Sequence, residues 1–288
     1  MFRPLPRIQL VTDSTAYLTS EEIRRLQAHV LSLQVITEDR SFPETEIDSE
    51  AFAGYLRKAP KVPTTSQPPP ARFLELYEVL ASAGEPVISL HISSGLSGTW
   101  QAASAVAAGL EGAPIHVVDS LSAGMGLKLQ VEAAHAAIAA EMPPEKVIEA
   151  ICRVRDRHNL FLIVDSLEYL YKGGRIGGAQ SLIGSLLQIK PILWLQEGRI
   201  EIFEKIRTRR KAFQRVAEFI AERWRQEGPL RLDVGHVYAP EAAKEFCEQI
   251  VDLVPEAKPT FSDIGPVIAV HVGPGTVGVA MAPLEKYE

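Results

Sequence analysis

The first half of this chain alternates short apolar runs with longer segments of helical periodicity, and this pattern limits the possible folds more than any other feature. The apolar runs lie at residues 8–11, 30–36, 87–92 and 115–118, and each has the length of a strand. Strands that alternate with helices are typical of a parallel sheet with helices on both faces. Residues 1–159 are therefore predicted to form a parallel-sheet α/β/α domain.

Two helix starts in this half carry their own signals. Thr19 stands three residues before Glu22 at the beginning of an amphipathic segment, and this spacing predicts a capping box. Pro69 and Pro70 directly precede Ala71, where proline favours the opening of a helix.

The pattern changes after Leu160. Two apolar runs at residues 192–195 and 199–206 are joined by Gln196-Glu197-Gly198, which predicts an antiparallel hairpin. We place the domain boundary at Asn159, and clefts between domains are preferred ligand sites. Residues 160–288 are predicted to form a two-layer α/β domain with a mixed sheet, with three further strands at residues 232–237, 267–272 and 277–281.

Charge and cysteine content exclude several classes of protein. With 30 Lys and Arg against 36 Asp and Glu, the net charge of −6 argues against an extended nucleic-acid-binding surface. Cys152 and Cys247 are too few for a disulfide framework or a cysteine-rich metal site, and we expect neither metal nor cofactor. There is no secretory signal and no run of about 18 apolar residues, so we expect no integral membrane segment and a cytoplasmic location.

Two hydroxyl-rich turns predict an anion site. The first, Thr64-Thr65-Ser66-Gln67, precedes three prolines that stiffen the segment and are expected to deny it regular structure. The second, residues 93–99, follows a predicted strand and precedes a predicted helix. In parallel sheets ligands bind at such strand ends, where the N–H groups of the helix favour anions. Helix capping by the same hydroxyls is the alternative for both turns.

A glycine-rich segment near the end of the chain resembles a dinucleotide-binding motif but lacks its context. Residues 273–278 match G-x-G-x-x-G, yet a predicted strand and Pro283 follow, which leaves no room for a crossover helix. We interpret the segment as a turn between two strands, which places His271 at the end of the first. An isolated histidine in an apolar strand is usually structural, and a functional role is the alternative.

No familiar catalytic motif is present. The sequence contains no P-loop, no G-x-S-x-G, no H-E-x-x-H and no Cys-x-x-Cys. Ser94 or Ser97 with His271 could act as nucleophile and base of an autonomous acyl hydrolase, but no third residue can be nominated to orient the histidine. Binding without turnover is the simpler interpretation, so we expect a protein that is not itself an enzyme.

The segment from Lys172 to Arg215 is basic in an otherwise acidic chain. It holds ten Lys or Arg and three Glu, an excess of seven positive charges. The excess, which includes Arg175, Arg207 and Arg209, predicts an acidic partner, and a solvated helix face is the alternative.

Five spaced motifs resemble the DegV family nearly end to end. They are Val11-Thr12-Asp13-Ser14, Thr65-Ser66-Gln67-Pro68, residues 93–99, Lys172-Gly173-Gly174-Arg175-Ile176, and the stretch from Gly265-Pro266-Val267 to Gly275. The resemblance implies a two-domain fatty-acid-binding protein, similar to the acyl-carrier subunit of bacterial fatty acid kinase. Such a subunit presents a bound long-chain fatty acid to a separate ATP-dependent kinase subunit for acyl-phosphate formation. A lipid-sensing regulatory module is a further alternative.

The resemblance also implies roles for individual residues. The fatty acid carboxylate would be contacted by Thr65, by serines of the second turn, of which Ser94 is favoured over Ser93 and Ser97, and by His271. A tail of about 14 methylenes, at roughly 0.8 kcal/mol each, contributes on the order of 11 kcal/mol before entropy costs.

Partner docking and tail burial are assigned to other positions. Arg175 is implied for the kinase-docking surface, to which we add Arg207 and Arg209. Candidates for the acyl-chain pocket, with ordinary core as the alternative for each, are Leu182, Ile183, Leu186, Leu187 and Ile189.

Overall fold

The computed structural model describes residues 7–59, 61–182 and 190–284, and its strands form three sheets. The strands are β1 (Gln9–Asp13), β2 (Ala28–Leu31), β3 (Gln34–Ile36), β4 (Ser41–Pro43), β5 (Thr64–Ser66), β6 (Val87–His91), β7 (Ile115–Asp119), β8 (Asn159–Ile163), β9 (Lys190–Gln196), β10 (Arg199–Ile206), β11 (Leu230–His236), β12 (Thr260–Asp263) and β13 (Val277–Pro283). The α-helices are α1 (Ser20–Leu26), α2 (Ser49–Lys58), α3 (Pro70–Ser82), α4 (Thr99–Gly109), α5 (Met125–Ala139), α6 (Pro144–Arg157), α7 (Glu168–Lys172), α8 (Arg209–Glu227), α9 (Pro240–Leu253) and α10 (Pro266–Val272). Short 3-10 segments lie at Ser14–Ala16, Glu44–Glu46 and Gly177–Leu182.

The first sheet is parallel throughout, with strand order β2-β1-β6-β7. Neighbouring residues of one strand face opposite sides, so Leu10 packs with α5 and α6 whereas Val11 packs with α3 and α4. The predicted parallel sheet with helices on both faces is confirmed. The capping box of Thr19 and Glu22 is also confirmed, and α3 begins at Pro70.

A small antiparallel sheet with order β4-β3-β5 is a feature that the sequence pattern did not predict. Residues 30–36 were expected to form one strand, but they divide into β2 and β3. At the break, the backbone N–H of Leu33 donates to the Ser14 hydroxyl and its carbonyl accepts from the N–H of Glu44. These bonds remove Leu33 from both ladders and redirect the chain into the second sheet.

The expectation that prolines keep residues 64–67 irregular is wrong for most of the segment. Thr64–Ser66 forms β5, an edge strand that pairs with β3. Pro63 and Pro68 lie just outside the strand, where a missing N–H costs no ladder bond.

The third sheet is mixed and has the order β10-β9-β8-β13-β11-β12. Its β9–β10 hairpin turns at Glu197 and Gly198, as predicted. Within this sheet, β11–β12 is the only parallel pair among the described strands, and β12 was not predicted. The fold class, a parallel-sheet unit followed by a mixed-sheet α/β unit, is confirmed.

Residues 267–272 form a helix and not the predicted strand. Helix α10 has Gly265 as N-cap and Pro266 in its first turn, a position that suits proline. Five of its seven residues are buried, so its apolar run has no amphipathic period. A short helix buried on nearly all sides cannot be told from a buried strand by periodicity.

Helix α5 contributes side chains to the cores of both large sheets. Leu127 and Val131 pack with the parallel sheet, whereas Met125 and Leu129 belong to the cluster that contains Leu160 of the mixed sheet. Because α5 serves both cores, the join needs no flexible linker. The division into domains at residues 159 and 160 stays a prediction.

Candidate functional site

A cavity of about 220 Å³ lies between the small sheet, α5, α10 and the mixed sheet. One water needs roughly 10–15 Å³ of such space, so the cavity is large enough for an extended molecule. Its wall is mainly aliphatic and includes Leu33, Ile92, Leu96, Leu160, Leu162, Leu170, Leu195, Ile200, Val237, Ile264, Val267 and Ile268. Such a wall suits an apolar chain.

Two polar side chains of this wall, Thr65 and His271, meet directly. The Thr65 Oγ1 lies 2.7 Å from Nε2 of His271. Thr65 is carried by the edge strand β5, and His271 stands in the last turn of α10. Gln67 also faces the cavity close to this pair.

His271 is held in its neutral form. Burial, with a further contribution from the Arg175 guanidinium, lowers the pKa of His271 to about 4. Its Nδ1 is buried and has no hydrogen-bond partner in the described part of the chain. A Cβ at Gly173 would collide with that nitrogen, so the ring fits only because Gly173 has no side chain.

Arg175 lines the cavity and ties the two large units together. Its Nε donates to the Leu96 carbonyl at 3.1 Å, and its Nη1 donates to the Gly173 carbonyl at 2.7 Å. The side chain is partly buried. The residue expected on an external docking surface therefore contributes positive charge to the cavity wall.

The structure brings one of the three candidate serines, Ser97, to the cavity wall. Ser93 is fully buried and its hydroxyl donates to the Gly198 carbonyl at 2.7 Å, so its proton is already used in a hydrogen bond within the protein. Ser94, the favoured candidate, is not among the lining residues, and its N–H donates to Asp119.

The serine turn and the β9–β10 hairpin meet at two glycines. A Cβ at Gly95 would lie 2.7 Å from the Gly198 carbonyl oxygen. Gly198 itself has φ +76°, a conformation that favours glycine. This close approach holds the serine turn against the mixed sheet.

The apolar part of the cavity is shaped by a pair of glycines on neighbouring strands. Gly235 of β11 pairs with Gly278 of β13, and both line the cavity beside Met125. A Cβ at Gly278 would lie 3.1 Å from Cε of Met125, and one at Gly235 would lie 2.8 Å from Cδ1 of Ile264. Glycine inside a strand can indicate a close ligand approach, which was a signal available in the sequence.

The predicted docking and tail residues lie in different surroundings. Arg207 is exposed, whereas Arg209 pairs with Asp165 and donates to the Gly275 carbonyl. Leu182 is buried in the core cluster that surrounds the cavity but is not among the lining residues. The other four tail candidates, Ile183, Leu186, Leu187 and Ile189, lie outside the described residues.

Two other classes of site have no counterpart among the described residues. No group of three or more His, Cys, Asp or Glu in them could hold a metal ion. None of their helices is both long and apolar enough to cross a bilayer.

Comparison with known proteins gives consistent matches over nearly the whole chain. The model of the DegV family, described as uncharacterised proteins, matches residues 7–284. A DegV domain-containing protein of Listeria innocua is 37% identical over 276 residues, which are 95% of this chain and 97% of that protein. The solved structure of a DegV family protein from Thermus thermophilus, described as fatty acid binding, is 33% identical, has a TM-score of 0.90, and is matched over 96% of this chain and 100% of that one. DegV of Bacillus subtilis, described as a fatty acid binding protein, is 34% identical with a TM-score of 0.89, over 97% of this chain and 100% of that one. This chain belongs to the DegV family.

Proposed function

We propose that this protein binds one long-chain fatty acid, with the tail in the apolar cavity and the carboxylate beside Thr65, Ser97 and His271. The observation that carries the proposal is a mainly aliphatic cavity whose wall includes the hydrogen-bonded pair of Thr65 and His271 together with Arg175. The family members described as fatty acid binding support the same ligand class.

The hydrogen bond between Thr65 and His271 determines where the Thr65 hydroxyl can donate its proton. A neutral imidazole protonated on Nε2 avoids a buried N–H without a partner at Nδ1. Nε2 then donates to Thr65 Oγ1, and the Thr65 hydroxyl proton is left for the ligand carboxylate. The nearby Arg175 guanidinium offsets the negative charge of that carboxylate.

Tail burial provides most of the affinity in this account. About 14 methylenes at roughly 0.8 kcal/mol each give on the order of 11 kcal/mol before the costs of association. The polar groups then set the direction of the chain in the cavity. Native mass spectrometry of delipidated protein incubated with palmitate tests the proposal. We expect a one-to-one complex, and failure to take up any long-chain acid contradicts it.

We further infer that the bound acid is presented to a separate ATP-dependent kinase subunit, as the family resemblance implies. The sequence has no phosphate-binding loop, and Arg207 is exposed two residues before α8 begins, where a negatively charged partner could approach. Hydroxylamine trapping of acyl phosphate, with the kinase subunit and ATP present, measures this step.

Charge reversal just before α8 and near its end gives a matched pair for that assay. Arg207→Glu should reduce acyl-phosphate formation without changing palmitate binding. Arg225→Glu, near the other end of α8 and about 24 Å from its start, should not. Acyl phosphate formed without a kinase subunit, or equal rates in both variants, contradicts this assignment.

The alternative of a serine hydrolase receives less support. The described residues place no carboxylate against the His271 imidazole, and its Nε2 is paired with Thr65. The Ser97 hydroxyl is hydrogen bonded to Thr99 at 2.9 Å. Turnover of acyl esters that is lost in Ser97→Ala would nevertheless favour the hydrolase.

A further inference from the structure

Helix α10, which carries His271, is held at its N-terminus by two side chains from the other unit. The N–H of Val267 donates to Oε1 of Glu44 at 2.8 Å, and the N–H of Ile268 donates to the Tyr17 hydroxyl at 3.0 Å. Pro266 precedes them and has no N–H to satisfy. The first turn of α10 therefore obtains its hydrogen-bond acceptors from residues more than 220 positions away.

The small sheet contacts both ends of this helix. Glu44 directly follows β4 and binds the N-terminus of α10, whereas Thr65 on β5 contacts His271 in its last turn. Both strands pair with β3, so the two contacts share one support. The position of His271 relative to Thr65 is thus tied to the Glu44 contact by a short helix and a three-stranded sheet.

The surroundings of Glu44 and Tyr17 fit their contacts with the N-terminus of α10. A Cβ at Gly265 would lie 2.5 Å from Cε1 of Tyr17 and 2.9 Å from Oε1 of Glu44, so the N-cap leaves room for both. Tyr17 has φ 48° in the left-handed region, a costly conformation for a residue with a Cβ. Glu44 also accepts from the Ser14 hydroxyl at 2.5 Å and from Tyr17 at 3.0 Å, so its two oxygens have three donors.

We propose that Glu44 and Tyr17 are positioning residues of the carboxylate site. They set α10 against the small sheet and thereby hold the His271 imidazole at hydrogen-bonding distance from Thr65 before a ligand arrives. Neither residue touches the ligand in this account. Their effect on affinity rests on the proposed function, because a site that is already ordered loses less entropy on binding.

The test measures His271 directly in ligand-free protein. Protein with ¹⁵N-labelled histidine gives imidazole nitrogen signals that report the Nε2 hydrogen bond to Thr65. We expect Glu44→Ala and Tyr17→Phe to shift the His271 signals and to weaken palmitate binding about tenfold, the effect of a lost helix cap. Glu44→Gln, which keeps an acceptor for Val267, should restore most of both.

Tyr77→Phe is the matched control. Tyr77 is a buried tyrosine of the first unit, whereas Tyr17 is half-buried, and the Tyr77 hydroxyl donates to Ser89 and not to α10. We expect this variant to lose stability with that bond but to leave the His271 signals and palmitate affinity unchanged.

Specific outcomes overturn the inference. If the His271 signals of Tyr17→Phe and Glu44→Ala coincide with those of the wild type, Glu44 and Tyr17 do not position the imidazole. If Glu44→Ala fails to fold, the His271 signals of Tyr17→Phe alone decide whether the positioning role holds. Wild-type protein that takes up no palmitate contradicts the proposed function, whereas the ligand-free His271 signals still decide the positioning role.

Discussion

The Thr65 hydroxyl lies 2.7 Å from Nε2 of His271, although 206 positions separate the two residues in the chain. The pair joins an edge strand of the small sheet to the last turn of α10. It also lies in the wall of a mainly aliphatic cavity. This relationship is the basis of the proposed carboxylate site and of the predictions below.

Replacement of Thr65 by valine should weaken palmitate binding while the tail pocket stays intact. Valine keeps the shape of the side chain but removes the hydroxyl that we expect to donate to the carboxylate. A hydrogen bond to a charged group contributes about 1.5–3 kcal/mol, so affinity should fall at least about tenfold. Isothermal titration calorimetry measures the change. Binding of the uncharged methyl ester should be affected less.

The two serines of the second turn should behave differently. Ser97 lines the cavity, so Ser97→Ala should lower palmitate affinity severalfold. Ser94 is not a lining residue, so the wild-type affinity should persist in Ser94→Ala. A competition assay with a fluorescent fatty acid compares the two variants, and the reverse order would show that the carboxylate lies nearer Ser94.

Chain-length preference should depend on Gly235. In the wild type each added methylene should raise affinity about fourfold until the cavity is filled. A Cβ at Gly235 meets the flexible ends of Met125 and Ile264, so Gly235→Ala should push these side chains into the cavity. The affinity maximum should then move to a shorter acid in titrations from C10 to C20.

Gly109→Ala is the control for that series. Gly109 is exposed in α4, and a Cβ there meets nothing within 4 Å. An unchanged chain-length profile in Gly235→Ala would show that the tail does not reach this part of the cavity.

Glu44 should make folding stability depend on pH. Burial raises its pKa to about 7, against an ordinary value of 4.5, although hydrogen bonds from Ser14, Val267 and Tyr17 oppose the rise. Between pH 4.5 and about pH 7 the folded state therefore binds more protons than the unfolded state. The contribution of Glu44 to folding stability is present below this range and is lost as pH rises through it.

Glu44→Gln removes the titration and provides the comparison. The stability of this variant relative to the wild type should increase across that pH range, by up to about 3 kcal/mol. Urea unfolding at pH 5 and pH 7.5 gives both free energies. A difference between the two proteins that does not change with pH would contradict the assignment to Glu44.

Much of the fold could be predicted because its signals are local. The hairpin at Gly198, the capping box of Thr19 and Glu22, and the strands of the parallel sheet each depend on neighbours within a few residues. Helix α10 could not be predicted in this way, since burial on most sides removes its helical period. The break at Leu33 depends on bonds to Ser14 and Glu44, which no local pattern contains.

The candidate site shows the same limit. The motifs identified Thr65 and His271 as members of one site, and the structure brings them together. They did not show which serine faces the cavity. The Ser93 hydroxyl donates instead to the carbonyl of Gly198 in the other unit, and a local motif contains no information about that contact. Tyr17 and Glu44 carried no sequence signal, since their partners lie 251 and 223 positions away.

The most direct test of the central claim observes the carboxylate itself. Palmitate labelled with ¹³C at its carboxyl carbon can be bound to the wild type and to Thr65→Val, and its NMR signal compared with that of free palmitate. We predict one narrow bound resonance in the wild type that shifts clearly in Thr65→Val. An identical bound resonance in both proteins, or one that titrates like the free acid in water, would contradict a carboxylate held beside Thr65 and His271.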